Sequence, residues 1–247
     1  MDYSNMSQGY FMVKSYLGDT KVKVLVNVAG SKQYQYTLDR GDVYTVIPLS
    51  EGNGTYAVEV YENVYDQQYS PILSQNLEVT LDDEFLPFLY PSQYVNFNLE
   101  NQAIAEAQRL IEGATSDVEA LDQVYAWVVT NIDYDYEEAV TVASGYLPAI
   151  DEVYETRMGI CFDYAVLTAA MLRSQRIPAQ LVVGYAGSAY HAWIEVHCAD
   201  TGEIGMYVFN GEKWVQMDPT FDAASKGTQD LSSVIGDGNN YQPLFYY

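Results

Sequence analysis

Residues 157–165 read Arg157-Met158-Gly159-Ile160-Cys161-Phe162-Asp163-Tyr164-Ala165. The apolar spacing from Phe162 to Ser174 is typical of a helix, so Cys161 is predicted to open that helix. Unpaired N–H groups and the helix dipole favour a thiolate at such a position. The same amides could stabilise an oxyanion, and Gly159 would let a substrate approach the backbone closely. Cys161 is therefore a candidate nucleophile.

Two segments downstream supply the other groups that a thiol enzyme needs. Residues 191–196 begin with His191 and are predicted as a strand, and a nearby strand over residues 213–217 is predicted to be closed by Asp218. A cysteine nucleophile needs a base, and the base needs a carboxylate to orient it. On adjacent antiparallel strands the carboxylate can reach the imidazole and fix its tautomer. The sequence therefore predicts a cysteine-dependent acyl-transfer site of Cys161, His191 and Asp218.

Each of these residues also has a purely structural explanation. A cysteine in an apolar helix, a histidine on a strand and an aspartate before proline are commonly core or turn residues. Their order on a helix, a strand and a second strand favours a joint function. Trp193 shares a strand face with His191, which makes it a candidate substrate-binding residue together with Gly159. His197 lies at the other end of the same face and is the alternative histidine.

The composition indicates a well-packed and strongly acidic protein. Of the 247 residues 49% are apolar and 18% are charged, and the formal net charge is −23. Such a charge repels phosphate backbones and anionic lipid, so neither nucleic acid nor a membrane is an expected partner. The sequence contains no run of about 18 apolar residues, so no membrane-spanning helix is predicted. The first residues lack the regions of a signal peptide, so we expect a secreted or cell-surface protein whose leader is not part of this sequence.

The two cysteines and two histidines do not predict a metal site or a disulfide scaffold. A bridge between Cys161 and Cys198 is left open, and it would consume the proposed nucleophile. Zinc is disfavoured because His197 and Cys198 are adjacent on a strand and point to opposite faces, and because no Cys-x-x-Cys pair is present. No calcium loop of the Asp-x-Asp-x-Asp-Gly kind is present either. We expect an enzyme without a cofactor.

The first third of the chain reads as one short strand after another. Residues 21–28 alternate valine with mostly polar residues, and residues 34–38 and 55–61 alternate as well. This pattern predicts an antiparallel, immunoglobulin-like β-sandwich over residues 1–82, which contains no histidine or cysteine and so suits a structural or binding module. Residues 83–99, with two prolines and several aromatics, are predicted as a linker to a catalytic domain at 100–247.

The remaining pattern predicts an α+β domain of helices packed on an antiparallel sheet. Helices are expected at residues 100–112 and 162–174, and a third helix after a capping box of Ser116 and Glu119. Residues 132–157 are read as a long loop at the rim of the site. The dipeptide Asn210-Gly211 predicts a hairpin between strands at 207–209 and 213–217. The last twenty residues are expected either to wrap back through their aromatic end or to stay loose.

These segments resemble the transglutaminase-like superfamily, a papain-related fold that includes bacterial proteases and cross-linking enzymes. The resemblance covers about residues 100–225 and rests on four ordered matches, with the segment 131–136 similar to the family's upstream helix end. The matches are residues 159–165, 176–179 with 183–185, His191-Ala192-Trp193, and 217–221. It implies that Cys161 is the nucleophile, His191 the general base and Asp218 the orienting carboxylate. Residues 197–206 depart from the family pattern and look like an insertion that lengthens the hairpin.

Two functions are compatible with this sequence. The first is a transglutaminase-like cysteine peptidase or amidase that acts on peptide or glutamine side-chain amides through a thioester, with peptidase-like hydrolysis favoured by the resemblance to bacterial members. A protein or peptide would be its substrate. The alternative is a non-catalytic cell-surface binding or adhesion protein that retains the fold, which the tyrosine-rich sandwich motivates.

Overall fold

The computed structural model describes residues 1–30, 32–38, 41, 43–226 and 240–247. The chain divides into two compact units, Met1–Phe88 and Leu89–Tyr247. The division falls inside the segment 83–99 that the sequence predicts as a linker. Residues from Leu89 onward belong to the second unit, where Val95 is fully buried and Tyr94 stacks on Tyr247 with 3.9 Å between ring centroids. The α+β class is confirmed.

The first unit is built from antiparallel strands in two sheets. The strands are β1 (Tyr10–Val13), β2 (Val22–Val28), β3 (Tyr34–Thr37), β4 (Thr45–Pro48), β5 (Gly54–Tyr65) and β6 (Gln68–Val79). One sheet has the order β3-β2-β5-β6 and the other pairs β1 with β4. The four-stranded sheet buries one face, since alternate residues of β2, namely Val22, Val24 and Val26, are buried. This matches the predicted two-sheet arrangement, and its likeness to an immunoglobulin domain stays a prediction.

The second unit surrounds one buried helix. Its helices are α1 (Gln102–Leu110), α2 (Asp117–Asn131), α3 (Glu138–Thr141), α4 (Ile150–Thr156), α5 (Cys161–Ser174) and α6 (Pro219–Lys226). Every residue of α5 from Asp163 to Arg173 is buried. The helix packs against α1, α2, α4 and α6 on its helical side. Only Cys161 and Phe162 at the start of α5 and Ser174 at its end are half-buried.

An antiparallel sheet lies against the same helix. The strands of the second unit are β7 (Asp133–Tyr134), β8 (Met158–Gly159), β9 (Ala179–Ala186), β10 (Ala189–Val196), β11 (Thr201–Ile204), β12 (Tyr207–Asn210), β13 (Val215–Met217) and β14 (Tyr241–Tyr246). The main sheet has the order β13-β10-β9-β14, and α5 contacts both β9 and β10. The strand with His191 and the strand that precedes Asp218 are therefore neighbours, as predicted.

Two of the sequence predictions in this unit need correction. The segment 132–157 is not one long loop, because it contains β7, α3 and α4, and β7 pairs in parallel with β8, which follows the segment directly. The predicted hairpin through Asn210-Gly211 is wrong, since β12 pairs with β11 and β13 pairs with β10. The turn that closes the actual hairpin contains Gly205 at φ +56°, a conformation that glycine adopts without strain.

The capping box is present in a modified form. The Ser116 hydroxyl accepts a hydrogen bond from the amide of Glu119 at 3.2 Å, which caps α2 as predicted. The Glu119 carboxylate, however, accepts from the amide of Thr115 at 2.7 Å, one residue before the cap. Among the last twenty residues, 228–239 lie outside the described part. Residues 241–246 form β14, which pairs with β9.

Arg173 ties three segments of the second unit together from inside the core. Its guanidinium donates to the backbone oxygens of Ala179 at 2.8 Å, Tyr90 at 3.0 Å and Tyr247 at 2.5 Å. Burial lowers the pKa of Arg173 to about 9, which leaves it protonated at neutral pH. The side chain thereby joins the end of α5, the start of β9 and both ends of the second unit.

We expect Arg173→Met to lower the free energy of unfolding of this unit by about 3 kcal/mol or more, because buried carbonyls that lose their donors cost about 1–3 kcal/mol each. Urea denaturation followed by tryptophan fluorescence measures this unit, since all three tryptophans lie within residues 89–247. Arg109→Met is the matched control, because Arg109 pairs with Glu106 on the surface and should contribute less than about 1 kcal/mol. Equal effects of the two substitutions would contradict the assignment.

Candidate active site

Cys161 is the first residue of α5, a half-buried free thiol. The helix start is fixed by Asp163, whose carboxylate accepts from the amide of Ile160 at 2.8 Å and from the hydroxyl of Tyr146 at 2.7 Å. Burial raises the pKa of Asp163, and these hydrogen bonds act against that rise. The first turn of the helix and the thiol that it carries are thus held in place by a buried carboxylate.

Gly159 has a different role from the predicted one. A Cβ at this position would lie 2.6 Å from the Cβ of Asp163, so only glycine leaves room for that carboxylate. Gly159 is itself buried and does not line the cavity beside Cys161. The expectation that a substrate approaches the backbone at Gly159 is therefore corrected. The glycine admits Asp163, and Asp163 in turn caps the helix.

Asp218 is held on both of its oxygens. It follows β13 and precedes α6, and its Oδ1 accepts from the amides of Thr220 and Phe221 at 3.0 Å each, as an N-cap residue does. Its Oδ2 accepts from Nε2 of His191 at 2.7 Å and from the hydroxyl of Tyr241 at 2.6 Å. The carboxylate is 4% exposed, so these four donors replace its hydration.

His191 lies between the carboxylate and the thiol. Because its Nε2 is bonded to Asp218, its Nδ1 is the ring nitrogen available to Cys161. Burial lowers the pKa of His191, but the hydrogen bond and charge of Asp218, together with those of Cys161, outweigh burial and raise the pKa to about 10. The structure therefore brings the three predicted residues together in the order thiol, imidazole, carboxylate.

His191 should titrate far above the ordinary pKa of a histidine. We expect the His191 ring to stay protonated through neutral pH and to lose its proton only near pH 10. NMR of the ring nitrogens measures this directly, because the chain has only one other histidine, His197. A His197→Gln variant assigns the signals. A His191 titration at or below its ordinary pKa of 6.5 would contradict the geometry.

The raised pKa of His191 should also make the folding stability of the protein depend on pH. The folded-state pKa of His191 lies above the ordinary value of 6.5. Its protonated form therefore contributes stability that is complete below about pH 6.5 and is lost as the pH rises through about 10. Destabilisation toward alkaline pH should be smaller in a His191→Gln variant than in the parent protein.

Trp193 lies behind the imidazole and away from the cavity. Its side chain is fully buried, with its ring 6.3 Å from that of His191 and 4.8 Å from that of Tyr241. The prediction that Trp193 binds substrate is therefore corrected. Trp193 packs against His191 and Tyr241 inside the core and does not line the cavity. His197 is also separate from the site, because its Nε2 lies 3.2 Å from the backbone oxygen of Gly211.

Cys161 and His191 open into a cavity of about 720 Å³. Its walls come from the segment 139–146, the start of α5, the strands β9 and β10, and aromatic residues at both ends of the second unit. Tyrosines supply much of the lining, namely Tyr94, Tyr134, Tyr146, Tyr190 and Tyr247. Within the described residues no aspartate, glutamate, lysine or arginine lines this cavity. Beside the thiol and His191 the cavity thus offers a largely aromatic surface.

Tyr134 was missed as a site residue. It lies on β7 in register with Gly159, two residues before Cys161, and its ring lines the cavity. Burial, followed by the charge of Cys161, raises the pKa of Tyr134 to about 12, so its hydroxyl remains a donor at neutral pH. The sequence does carry a signal for this residue, because the segment 131–136, which contains Tyr134, resembles the upstream helix end of the transglutaminase-like superfamily.

Other kinds of site are not found among the described residues. In residues 1–30, 32–38, 41, 43–226 and 240–247 no group of three or more histidine, cysteine, aspartate or glutamate side chains could hold a metal ion. No helix in these ranges is both long and apolar enough to cross a bilayer. The two cysteines are unbridged, so the thiol of Cys161 is available.

Comparison with known proteins finds a family match in the core of the second unit. The model of the transglutaminase-like superfamily matches residues 104–219, a range that contains Cys161, His191 and Asp218. The matched range is a little under half of the chain. This match confirms the resemblance that the sequence motifs indicate.

Three known proteins illustrate the similarity. UPF0252 protein MJ1282 of Methanocaldococcus jannaschii is 25% identical over 77% of this chain and 59% of its own length. A protein-glutamine gamma-glutamyltransferase of Pseudomonas aeruginosa is 30% identical over 37% of this chain and 14% of its own length. The matched part of this chain thus spans less than two thirds of the length of either relative. The crystal structure of a proposed cysteine protease from Cytophaga hutchinsonii covers 96% of this chain and 83% of its own, with 15% identity and a TM-score of 0.48.

Proposed function

We propose that this protein is a cysteine-dependent acyl-transfer enzyme that acts on peptide or glutamine side-chain amides through a thioester. One observation carries the proposal. His191 places Nε2 on the Asp218 carboxylate at 2.7 Å and presents its other nitrogen to a free thiol at a helix amino terminus. This arrangement combines a nucleophile, a base and an orienting carboxylate in mutual reach.

The proposed reaction has two steps, and in each of them His191 takes up one proton and gives it away. In the first, the Cys161 sulfur, having given its proton to His191, attacks the amide carbonyl, and the C–N bond of the tetrahedral intermediate breaks. The His191 imidazolium donates its proton to the departing nitrogen, which leaves as ammonia or an amine. In the second, water or an amine loses a proton to His191 and displaces the sulfur. The thioester carbon then becomes an acid or a new amide, and the thiol is restored.

We assign the developing oxyanion to two donors. One is the amide of Cys161, because the first amides of a helix have no partner within the helix. The other is the Tyr134 hydroxyl, which lies in the same cavity and stays protonated at neutral pH. Donors aimed at the charge that forms in the transition state affect turnover more than substrate binding.

Tyr134→Phe is accordingly expected to lower kcat about 100-fold with little change in KM, since one oxyanion donor contributes about 10²–10³ in rate. Steady-state kinetics on a peptide substrate measures both constants. Tyr185→Phe is the matched control, because Tyr185 is exposed and does not line the cavity. A Tyr134→Phe enzyme with a raised KM and unchanged kcat would instead assign the tyrosine to substrate binding.

The cavity favours an uncharged acyl donor. The described lining residues carry no acidic or basic side chain apart from His191, so a charged substrate group would find no carboxylate, lysine or arginine as a partner in the cavity. An uncharged carboxamide or an apolar group needs no such partner. The glutamyltransferase relative suggests the glutamine side chain as one such group. The same geometry accepts a peptide carbonyl, and access of water or of an amine to the thioester then decides the product.

Mass spectrometry of a peptide library can test this proposal. Glutamine-containing peptides are incubated with the enzyme, with and without a primary amine, and the products are sorted into cleaved, deamidated and amine-linked peptides. We expect at least one product class with the parent enzyme and none with Cys161→Ala. Equal product formation by the parent and by Cys161→Ala would contradict the proposal, because the chemistry would then not need the thiol.

A further inference from the structure

The last described strand reaches the carboxylate behind the base. β14 pairs with β9 and starts at Tyr241, whose hydroxyl donates to Oδ2 of Asp218 at 2.6 Å. The same oxygen accepts from Nε2 of His191 at 2.7 Å. The other oxygen already accepts two backbone amides. Tyr241 is therefore the one side-chain hydroxyl that is bonded to Asp218 among the described residues.

We propose that Tyr241 is a positioning residue that holds the Asp218 carboxylate in the orientation from which it aligns His191 with the thiol. The expected effect of Tyr241 on kcat rests on the proposed function. Its expected effect on the orientation of His191 rests on the hydrogen bonds alone. This positioning role makes the C-terminal strand part of the catalytic apparatus, although this strand lies beyond the range 104–219 that the family model matches.

The Tyr241 ring packs against the two aromatic rings of the site. It meets Trp193 in a T-shaped arrangement, with 4.8 Å between the ring centroids and 74° between the ring planes, and its centroid lies 6.3 Å from that of His191. Burial, followed by the charge and hydrogen bond of Asp218, raises the pKa of Tyr241 well above its ordinary value, so the phenol remains a donor. A donor to a carboxylate oxygen fixes both the rotation of the carboxyl group and the position of the lone pair left for Nε2.

A glycine on β9 allows the strand β14, which carries Tyr241, to lie close to β9. Gly184 lies opposite His191 in the β9–β10 pairing, and a Cβ there would come 2.2 Å from the backbone oxygen of Gln242. Only glycine lets β14 lie this close to β9, and Gln242 is the residue after Tyr241. The close contact of the two strands thus places Tyr241 within hydrogen-bond distance of Asp218.

A pair of matched tyrosine variants tests the proposal. Tyr241→Phe removes the bond to Asp218, whereas Tyr207→Phe removes a comparable 2.9 Å bond to Asp222, a carboxylate that does not touch His191. Both variants lose one hydroxyl bound to a carboxylate, so a loss of folding stability alone should affect them alike. The urea midpoint of each variant records that shared cost.

Three readouts are taken on both variants. They are kcat and KM, the rate of Cys161 alkylation by iodoacetamide at pH 7, and the NMR signal of the His191 Nε2 proton. We expect Tyr241→Phe to lower kcat about 10- to 100-fold at nearly constant KM, to slow the alkylation and to broaden the proton signal, with Tyr207→Phe close to the parent protein in all three.

The proposal and the proposed function fail in different ways. If alkylation and the His191 signal in Tyr241→Phe match the parent protein, Tyr241 does not position the site and the inference is overturned. The same conclusion follows if Tyr207→Phe reproduces every effect. If Tyr241→Phe alone changes both measurements while no peptide is turned over by any form, the positioning role stands and the proposed enzymatic function fails.

Discussion

Cys161→Ala should reduce turnover by at least about 10⁴-fold, whereas Cys198→Ala should leave kcat within a few-fold of the parent enzyme. Cys161 lies in the cavity at the start of α5, beside an imidazole that can take its proton. Cys198 is 1% exposed, and burial, followed by the charges of Asp117 and Asp200, raises its pKa to about 12. The two thiols of one chain thus serve as test and control.

The substitution of Cys161 should act on chemistry and not on folding. The residue is half-buried, so its truncation to alanine removes little packing, and the urea midpoint should barely change. Cys161→Ser keeps the shape of the side chain but offers an alcohol, which ionises far less readily than a thiol. It should also be nearly inactive. Substantial activity in Cys161→Ala at an unchanged midpoint would contradict a covalent mechanism on this sulfur.

Asp218→Asn should lower kcat about a thousandfold, although it changes only one atom of the side chain. Oδ1 of Asp218 accepts two amides and Oδ2 accepts His191 and Tyr241, so all four partners are donors. An asparagine has one accepting oxygen and one donating amide group. Whichever way it is turned, its NH₂ faces donors, and either the helix cap or the bond to His191 is lost.

The charge of Asp218 matters as much as its geometry. Burial alone lowers the pKa of His191, and the carboxylate is the strongest influence that raises it. In Asp218→Asn the His191 signal should therefore titrate well below pH 10. Asp222→Asn is the matched control, because Asp222 accepts from Tyr125 at 2.7 Å and Tyr207 at 2.9 Å without reaching His191. It should cost stability and keep the His191 titration unchanged. Equal loss of kcat in both variants would contradict the assignment.

Much of the site could be predicted because its residues lie at the ends of strongly patterned elements. The apolar spacing of α5 fixes Cys161 at a helix start, and Asp218 stands directly before proline, which terminates β13 and opens α6. The strand that carries His191 pairs with β13, although the hairpin β11–β12 lies between the two strands in the sequence. Local sequence therefore predicted where each of the three side chains lies along its element.

The errors share a physical cause, since each depended on contacts between distant segments. Gly159 was read as an opening for substrate, but its missing Cβ makes room for Asp163. Trp193 shares a strand face with His191, yet periodicity does not tell which residue of that face reaches the cavity. The Asn210-Gly211 signal is local, and the pairing of β12 with β11 overrode it. Tyr241 follows a stretch without a periodic pattern, so nothing in the sequence joined it to Asp218.

Alkylation of the two thiols within the same molecule tests the central claim most directly. The protein is treated with iodoacetamide between pH 5 and 9, and peptide mapping gives separate rate constants for Cys161 and Cys198. The account predicts that Cys161 reacts at least about 100-fold faster than the buried Cys198, and that His191→Ala strongly slows the reaction of Cys161 while leaving that of Cys198 unchanged. Slow and equal labelling of both thiols, or fast labelling of Cys161 that persists without His191, would contradict it.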